Sequence, residues 1–501
     1  MLGFCRSNKD YQIFVLAELG KLAQSRPDQI REYTDAISKM LILNLDPLVS
    51  VIKELYPPWG RPAHMQPEIF RSFVLMMHLK IPLNNWVVKL VHNPVLRVIA
   101  GFSVENMPKT SSYYDFIDRI VPLDEKPVLR RFCTKPKKKL KKGEKMPPRN
   151  PGVVSKIVNK IISGDKRFQK RLGSRPERFL QKIFARVSVD SSAGLGLLAE
   201  DFSASGDGTC IAAGASHYGE KVCMCKENGI YKCTCDRKYS DPSANWGWDS
   251  QKEKYFFGYS GYFISSYNRD LKLDLPLHLR LVQASRHDSV SAVFALAEFK
   301  ELNPGLRMNT FISDSASDNQ ATYELLDHWG IDAVIALNEK NKGNNTYPAP
   351  LRIDENGTPI CPAGQKMHYY GFCSDRCRFK WRCPRVMRGL EPCDACGSCS
   401  ASPYGRVVYT KAEWDLRLFT RIPRGTDAWK EKMKERTASE RVNDRIMNDY
   451  GIENRPARGK KRISFLVTLA AVNIHLDAQL KVLTQRGQFD FDILVPLGEA
   501  A

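Results

Sequence analysis

The chain has 501 residues, 43% of them hydrophobic, which is enough for roughly two to four domains with buried cores. Its formal net charge of +21 indicates a polyanionic partner such as nucleic acid. A membrane protein is disfavoured: the N-terminus lacks a signal-peptide pattern, the longest apolar run, Phe465–Leu476, is too short to span a bilayer, and the sequence shows neither a basic amphipathic helix nor a lipidation signal.

Residues 1–125 show helical spacing and predict an all-helical N-terminal domain. Helices are predicted at Tyr11–Ser25, Asp46–Glu54, Pro67–Leu79 and Pro82–Ala100. Such a domain is either a packing and dimerisation module or a DNA binder of the helix-turn-helix type, and the sequence leaves both open.

Residues 126–180 combine a basic linker with a helix. The segment RRFCTKPKKKLKKGEKMPPRNPG is dense in Lys, Arg and Pro and has no apolar periodicity. A solvated linker, a phosphate-contacting arm and a nuclear-localisation signal all have this composition. The candidate phosphate contacts are Lys137, Lys138 and Lys139.

Residues 181–338 have the alternation of strands and helices that is typical of an α/β domain. Strands are predicted at Phe184–Val189, Ala199–Ser205, Cys210–Ala215, Tyr255–Ser265 and Leu277–Ala284, followed by a helix at Ser289–Phe299 that Asp288 or Ser289 would cap. A strand–helix–strand unit follows at Thr310–Asn338. Residues 429–501 are predicted to complete the domain with a polar helix, Asp427–Tyr450, which begins just before this range, and an apolar helix, Ser464–Leu480, that packs on the sheet.

Three carboxylates are the candidate catalytic residues: Asp207, Asp314 and Glu440. Asp314 follows a short apolar strand, at the sheet edge where ligands collect in open α/β sheets. Taken one at a time, the three acids are better explained as an Asp-Gly turn, a helix cap beside Asp318, and a solvated helix residue. Together they could converge from two strand ends and a late helix, which is the arrangement that two Mg²⁺ ions on a phosphodiester need.

The cysteines predict structural zinc. Residues 339–428 interrupt the α/β pattern with a Cys-rich insertion containing Cys361, Cys373, Cys377, Cys383, Cys393, Cys396 and Cys399. Paired cysteines on loops suit tetrahedral Zn²⁺, for one or two ions, and an iron–sulfur cluster is the minority alternative. Buried free cysteines are disfavoured because the segment has too little apolar content to bury them. In the insertion, Trp381 either covers the zinc site or stacks on a DNA base.

A second cysteine group consists of Cys223, Cys225, Cys233 and Cys235, two C-x-C pairs on either side of NGIY. A hairpin turn at Asn228-Gly229 would bring the pairs together as a four-thiolate site. Cysteine clusters of this kind favour a reducing compartment. With the basic charge, they lead us to expect a cytoplasmic, nucleoid-associated protein.

Several motifs together resemble an insertion-sequence DDE transposase, in the order that the family has them. The matching stretches are DGT around Asp207, FISDSASD with YELLDHWGIDAVI around Asp314, RTASERVNDR around Glu440, RPAHMQPEIFRSFVLMMHLKIP with LRVIAGF and MPKTSSYYDFIDRI near the N-terminus, and WGWDSQKEKYFFGYSGYFISS. The resemblance implies an RNase H-like mixed sheet with flanking helices. It also implies Mg²⁺ (or Mn²⁺) as the cofactor, cleavage at element ends, and strand transfer of the 3′-OH into target DNA by a homodimer or larger assembly.

The last helix departs from the family pattern. Arg436 and Glu440 keep the Arg-x-x-x-Glu spacing, but Met433 and Met447 stand where many relatives have Tyr and Lys. Arg436 and Arg445 are therefore the candidate phosphate contacts on this helix. Asp288 lies where relatives also carry an acid, and it is interpreted first as a cap and second as a helper.

Two other functions fit the same residues. One is an RNase H-like nuclease that cuts DNA without joining it. The other is a zinc-stabilised DNA-binding protein descended from a transposase. The second is disfavoured because a protein that only binds DNA has no physical need to hold three mutually repelling carboxylates together.

Overall fold

The computed structural model describes residues 1–130, 151–339, 347–348, 351–391, 393–394, 399–454 and 457–496. The N-terminal region is helical, as predicted. Its eight helices are α1 (Asn8–Ala23), α2 (Pro27–Glu32), α3 (Thr34–Ile42), α4 (Asp46–Ile52), α5 (Gln66–His78), α6 (Leu83–His92), α7 (Pro94–Ile99) and α8 (Thr110–Ile120). The α5 helix is buried along almost its whole length, so the other helices pack around it.

Short elements connect this region to the main sheet. They are strand β1 (Val128–Arg130), helices α9 (Val153–Ile162), α10 (Lys166–Gly173) and α11 (Arg178–Phe184), a π-helical turn at Ala185–Val189, and α12 (Asp190–Gly194). The strand predicted at Phe184–Val189 is therefore wrong. Leu180, Ile183, Phe184 and Val187 are all buried, and their spacing of three or four residues is that of a helix face.

The main sheet has six strands: β2 (Asp201–Ala212), β5 (Asn245–Asp249), β6 (Lys254–Asn268), β7 (Leu273–Gln283), β8 (Arg307–Ser313) and β9 (Asp332–Ile335). The strand order is β7-β6-β2-β8-β9. β5 pairs with the first residues of β6, on the same edge on which β7 pairs with the rest of that strand. β2, β8 and β9 are parallel, whereas β6 is antiparallel to both β2 and β7. The prediction of a mixed α/β protein is thus confirmed.

Two helices flank this sheet in the order that the sequence predicts. α13 (Asp288–Leu302) follows β7, and α14 (Gln320–His328) joins β8 to β9. The N-cap of α13 is His287, whose Nδ1 accepts a hydrogen bond from the Ser289 amide at 3.3 Å. The cap was predicted at Asp288 or Ser289 but lies at His287. The Asp288 carboxylate is therefore available for other contacts.

The polar segment at Asp427–Tyr450 is a broken helix. It divides into α16 (Asp427–Lys434), α17 (Thr437–Asp444) and a π-helical turn at Arg445–Asp449. The apolar helix α18 (Lys460–Gln485) follows, and a short helix, α19 (Phe491–Leu494), ends the described chain.

The α18 helix joins the N-terminal helices to the sheet. Asn473 donates a hydrogen bond to the Val74 carbonyl at 3.1 Å, while His475 Nε2 lies 2.7 Å from the Pro276 carbonyl oxygen in β7. Its 26 residues are long and apolar enough to cross a membrane, yet 83% of its most apolar window is buried inside the protein. The helix is therefore used as a core element, and one continuous core spans the N-terminal region and the sheet.

The described part of residues 339–428, which are predicted to be an insertion and are called the insertion below, contains a small β unit. A two-stranded ladder pairs β10 (Arg352–Ile353) with β11 (Pro359–Ile360), and a three-stranded antiparallel sheet has the order β12-β13-β14. Its strands are β12 (His368–Cys373), β13 (Arg378–Arg382) and β14 (Val407–Lys411), with helix α15 (Pro384–Met387) after β13. Phe379 and Trp381 of β13 are buried in the insertion's own apolar core.

The insertion is fixed to the main sheet by a buried ion pair. Arg417 Nε and Nη2 donate to the two carboxylate oxygens of Asp318, each at 2.9 Å. Arg424 adds a hydrogen bond from Nη1 to the Ile335 carbonyl at 2.6 Å. Asp318 is thus an anchor for the insertion, and the insertion lies next to the loop that follows Asp314.

Candidate active site

Asp207 lies in β2, and Asp314 directly follows the neighbouring parallel strand β8. Gly206 of β2 is paired with Ser313, the last residue of β8, so the residue after each of these two is one of the acids. β2 is a single 12-residue strand through the Asp-Gly step, and Asp207 faces Phe263 of β6 across the ladder. The Asp207-Gly208 step therefore lies within a strand and does not form a turn, so the Asp207 carboxylate is held on rigid secondary structure.

Asp288 is the third acid at this place. A methyl group added to Gly208 would lie 2.7 Å from the Asp288 carboxylate carbon and the same distance from its Oδ1. The missing side chain of Gly208 thus provides the space that the carboxylate occupies. The Ser260 hydroxyl donates a hydrogen bond to Asp288 Oδ1 at 3.4 Å.

Burial and the neighbouring acids raise the proton affinity of Asp207 and of Asp288. Burial, and then the negative charge of Asp314, raise the pKa of Asp207 to about 6. Asp288 also contributes to this rise, and its own pKa is raised by burial and by Asp314. Burial and neighbouring negative charge favour the uptake of a cation, but among the described residues these three carboxylates do not form a ready ligand set within 4.8 Å.

Helix α17 completes the rim of the cluster. The Asn443 side-chain amide donates a hydrogen bond to Asp207 Oδ2 at 2.9 Å. Glu440 lies one turn earlier, and its Oε1 forms an ion pair with Arg436 Nη2 at 2.6 Å. The positive charge of Arg436 partly offsets the rise in the pKa of Asp207, so this guanidinium is near both Glu440 and the acid cluster.

Of the predicted acids, the structure brings Asp207 and Asp314 together and leaves the Glu440 side chain 46% exposed at the rim. Sequence reasoning gave no role to Asn443, and gave Asp288 only a secondary one. A role for Asn443 could have been predicted from its spacing. Residues three apart on a helix share a face, so Asn443, which follows Glu440 by three, can reach the same site.

The residues predicted to contact DNA lie in different environments. Arg445 Nη2 pairs with Asp477 at 2.7 Å and so ties the π-helical turn to α18. Trp381 is 3% exposed and donates from Nε1 to Thr410 at 2.9 Å, so it belongs to the insertion core and is inaccessible to a base. Arg436 is half-buried at the acid cluster. Lys137, Lys138 and Lys139 lie outside the described residues.

Four cysteines form a compact cluster on the loop after β2. The Sγ atoms of Cys223, Cys225, Cys233 and Cys235 all lie within 4.8 Å of one another, and this group could hold a metal ion such as Zn²⁺. Strands β3 (Glu220–Lys221) and β4 (Arg237–Tyr239) pair at the base of the loop and bring its two C-x-C segments together. The predicted convergence is confirmed, although the segment between the pairs is a series of turns without hairpin strands.

Hydrogen bonds within the cluster give its thiols different proton affinities. The Cys225 amide and the Cys233 thiol lower the pKa of Cys223 to about 7, whereas hydrogen bonds with Cys235 and Cys223 raise the pKa of Cys225. Thiolates bind Zn²⁺, so Cys223 is the thiol of this group that most readily becomes a ligand.

The insertion cysteines are less closely grouped. Cys361, Cys383, Cys393 and Cys399 line one cavity of about 200 Å³. Cys373 and Cys377 lie at the two ends of the turn between β12 and β13, and Cys396 lies outside the described residues. Among the described residues, the atoms of these thiols are not close enough to one another to form a ready ligand set.

No protein-family model matches the chain, and no curated protein matches its sequence.

Proposed function

We propose that the protein is a DDE transposase that cleaves DNA at element ends and transfers the resulting 3′-OH to target DNA. The observation that carries this proposal is the pairing of Gly206 with Ser313, which brings Asp207, within β2, next to Asp314, directly after the end of β8. Three parallel strands, β2, β8 and β9, together with β6 antiparallel to both β2 and β7, are compatible with the RNase H-like sheet that the resemblance implies.

The proposed cofactor is Mg²⁺ or Mn²⁺. Carboxylate oxygens are the ligands that these ions prefer, and the raised pKa of Asp207 reflects burial and then the negative charge of Asp314, which a cation would offset. When bound, two such ions would acidify the attacking water or hydroxyl and neutralise the leaving oxygen. Asp207 and Asp314 are the proposed shared ligands, and Glu440 is the proposed third one.

Residues around these acids have positioning roles. Asn443 fixes one oxygen of Asp207, so the other oxygen can point at a ligand. Arg436 holds Glu440 in the metal-free state, and its release would free the carboxylate for the cluster and the guanidinium for a DNA phosphate. Asp288 adds negative charge behind Gly208 and thereby strengthens the attraction for cations.

The proposed chemistry has two steps. In the first, a water oxygen attacks the phosphorus at the element end, the bond to the 3′ oxygen breaks, and a 3′-OH and a 5′-phosphate result. In the second, that 3′ oxygen attacks a target phosphorus and loses its proton to solvent, while the target 3′ oxygen leaves and takes up a proton. A duplex DNA partner agrees with the net charge of +21.

Zn²⁺ has a structural role in this proposal. The four-thiolate loop lies between β2 and β5, away from the acids in sequence, and its closure by a metal would fix the fold of a segment with little secondary structure. The insertion cysteines are a second candidate zinc site. A cytoplasmic, nucleoid-associated location and assembly as a homodimer or larger complex on DNA remain part of the proposal.

The test is an in vitro reaction with DNA that carries the element ends, a plasmid target, and Mg²⁺ or Mn²⁺. Wild type should give joined product, and Asp314→Asn should give none. Asp327→Asn, which alters an exposed acid on α14, is the matched control and should behave as wild type. Metal-dependent nicking without joining would favour the nuclease, and binding without cleavage would favour the DNA-binding protein.

A further inference from the structure

We infer that the outward face of the insertion sheet is a binding platform for unpaired, single-stranded DNA. The inference rests on the proposed function only for the choice of DNA as the polymer. The platform is defined by three cations on β13 and three tyrosines beside them: Arg378, Lys380, Arg382, Tyr370, Tyr404 and Tyr409.

The two faces of β13 are chemically opposite. Phe379 and Trp381 point inward and are 1% and 3% exposed. Arg378, Lys380 and Arg382 alternate with them, so they point away from the insertion core. Side chains two residues apart on a strand are about 7 Å apart, a spacing comparable to that between successive phosphates of an extended nucleic-acid strand.

The three cations lack acidic partners. In the part of the chain that the structure describes, no carboxylate forms an ion pair with Arg378, Lys380 or Arg382, and Arg378 Nε is buried without a hydrogen-bond partner. Lys411, opposite Arg378 on β14, differs because it pairs with Glu413 at 2.8 Å. Unneutralised cations in a row on one surface favour a polyanion.

Aromatic rings lie beside these cations. The Arg378 guanidinium is 3.7 Å from the Tyr409 ring centroid, and Arg382 is 4.7 Å from that of Tyr370. Tyr370 in β12 and Tyr404 in the turn before β14 are 50% and 66% exposed, so both rings are open to a ligand. Exposed rings and guanidinium planes are the surfaces on which unpaired bases stack.

The combination selects a single strand over a duplex. In duplex DNA the bases are stacked on one another, so the rings would contribute nothing and only the phosphates would be bound. A single strand can engage the cations with its phosphates and the rings with its bases. The platform is also linked to the acid cluster, since β14 is followed by Arg417, which pairs with Asp318, and Asp318 lies just after Asp314 in the chain.

The test measures binding of a fluorescein-labelled oligothymidylate by fluorescence anisotropy over a range of salt concentrations. The triple variant Arg378→Gln/Lys380→Gln/Arg382→Gln should bind at least about tenfold more weakly, and the slope of log affinity against log salt should fall by about 2. Tyr370→Ala/Tyr404→Ala should weaken binding about five- to a hundredfold per ring and leave the salt slope unchanged.

Controls separate the platform from general charge effects. Arg388→Gln removes an exposed cation elsewhere in the insertion and should bind as wild type, and circular dichroism should show that every variant folds. Equal single-strand binding by wild type and the triple variant would overturn the inference. So would equal losses for single-stranded and duplex DNA, or tighter binding of an oligouridylate than of the DNA oligomer.

The same variants keep this inference distinct from the proposed function. If the platform variants lose single-strand binding while wild type shows neither cleavage nor joining, the platform stands and the transposase proposal fails. If the platform variants retain single-strand binding while wild type joins DNA, the transposase proposal stands and the platform inference fails.

Discussion

Asn443 donates its side-chain amide to Asp207 Oδ2 at 2.9 Å, and this contact connects helix α17 to the central strand of the sheet. It places the helix that carries Glu440 against the acid cluster, while Glu440 itself is paired with Arg436 at the rim. The position of α17 is thus compatible with a third carboxylate from this helix, provided that the Arg436 pair opens.

The identity of the third metal ligand can be tested by comparing two acids. We expect Glu440→Gln to reduce strand transfer at least about a hundredfold, because a lost ligand weakens stabilisation of charge in the transition state. Asp288→Asn should reduce it less and mainly by weakening metal affinity, so that excess Mn²⁺ restores part of the rate. The measurement is the rate of joining as a function of Mn²⁺ concentration. If Asp288→Asn abolished joining at every Mn²⁺ concentration while Glu440→Gln retained it, Asp288 would be the third ligand.

The metal-free protein should lose stability as the pH rises. The pKa of Asp207, raised to about 6, lies above that of an unfolded aspartate, so the folded state binds this proton more tightly. The resulting stabilisation is complete below about pH 4 and is lost as the pH rises through about 6. Relative to Asp207→Asn, wild type in EDTA should lose up to about 3 kcal/mol of unfolding free energy between pH 4 and 7.

Denaturant unfolding at both pH values measures this difference, and added Mg²⁺ should restore the loss in wild type alone. If the difference in unfolding free energy between wild type and Asp207→Asn stayed the same from pH 4 to 7, the pKa of Asp207 would not be raised in the folded protein.

Gly208 should be intolerant of any side chain. Gly208→Ala places a methyl group within contact distance of the Asp288 carboxylate and should cost about 1–3 kcal/mol of unfolding free energy through overpacking. Gly305→Ala is the matched control, because the space around that glycine is open. In the double variant Gly208→Ala/Asp288→Ala, thermal unfolding should return toward wild type. If the double variant were no more stable than Gly208→Ala, the carboxylate would not be the obstacle.

Asp314 and Asp318 should respond in opposite ways. Asp314→Asn should abolish joining and leave the melting temperature near that of wild type. Asp318→Asn should lower stability by about 3–5 kcal/mol, because it leaves the buried Arg417 charge unpaired. Thermal unfolding and strand transfer on both variants make the comparison. A fully stable Asp318→Asn variant would remove Asp318 as the anchor of the insertion.

The four-thiolate loop should hold one zinc ion. Cys225→Ser and Cys235→Ser should each lower the zinc content by about one ion per chain, since structural Zn²⁺ needs all four ligands. Cys5→Ser alters a cysteine outside both groups and is the control. Elemental analysis of the purified variants gives the count. Full zinc content in Cys225→Ser and Cys235→Ser would exclude this loop as a metal site.

Much of the fold follows from local patterns. The Thr310–Asn338 unit was predictable because its strands are continuous apolar runs and Gly330 ends the helix with a positive φ of 69°. Tyr255–Ser265 and Leu277–Ala284 also form strands, with longer bounds than predicted. In contrast, FARVSV at Phe184–Val189 has β-branched residues that suggest a strand, and only packing against neighbouring helices makes it helical.

The site was less predictable, because its geometry depends on contacts between distant segments. The Asp207-Gly208 step resembles a turn until Asp288, some eighty residues later, is seen to fill the space beside Gly208. The role of Asn443 depends on the rotation of α17, which the break in the Asp427–Tyr450 segment sets. Trp381 was a plausible base-stacking residue by composition, but strand alternation places it in the insertion core and places the cations outside.

If the acid cluster directs a 3′-OH at a phosphodiester, joining requires that hydroxyl. Two DNA ends that differ only in this group provide the test. Wild type is supplied with pre-cleaved element ends that carry either a 3′-OH or a 3′-deoxy terminus, together with a plasmid target and Mg²⁺. We expect joined product only from the 3′-OH end, and none from either end with Asp207→Asn. Product from the 3′-deoxy end, or undiminished joining by Asp207→Asn, would contradict the claim.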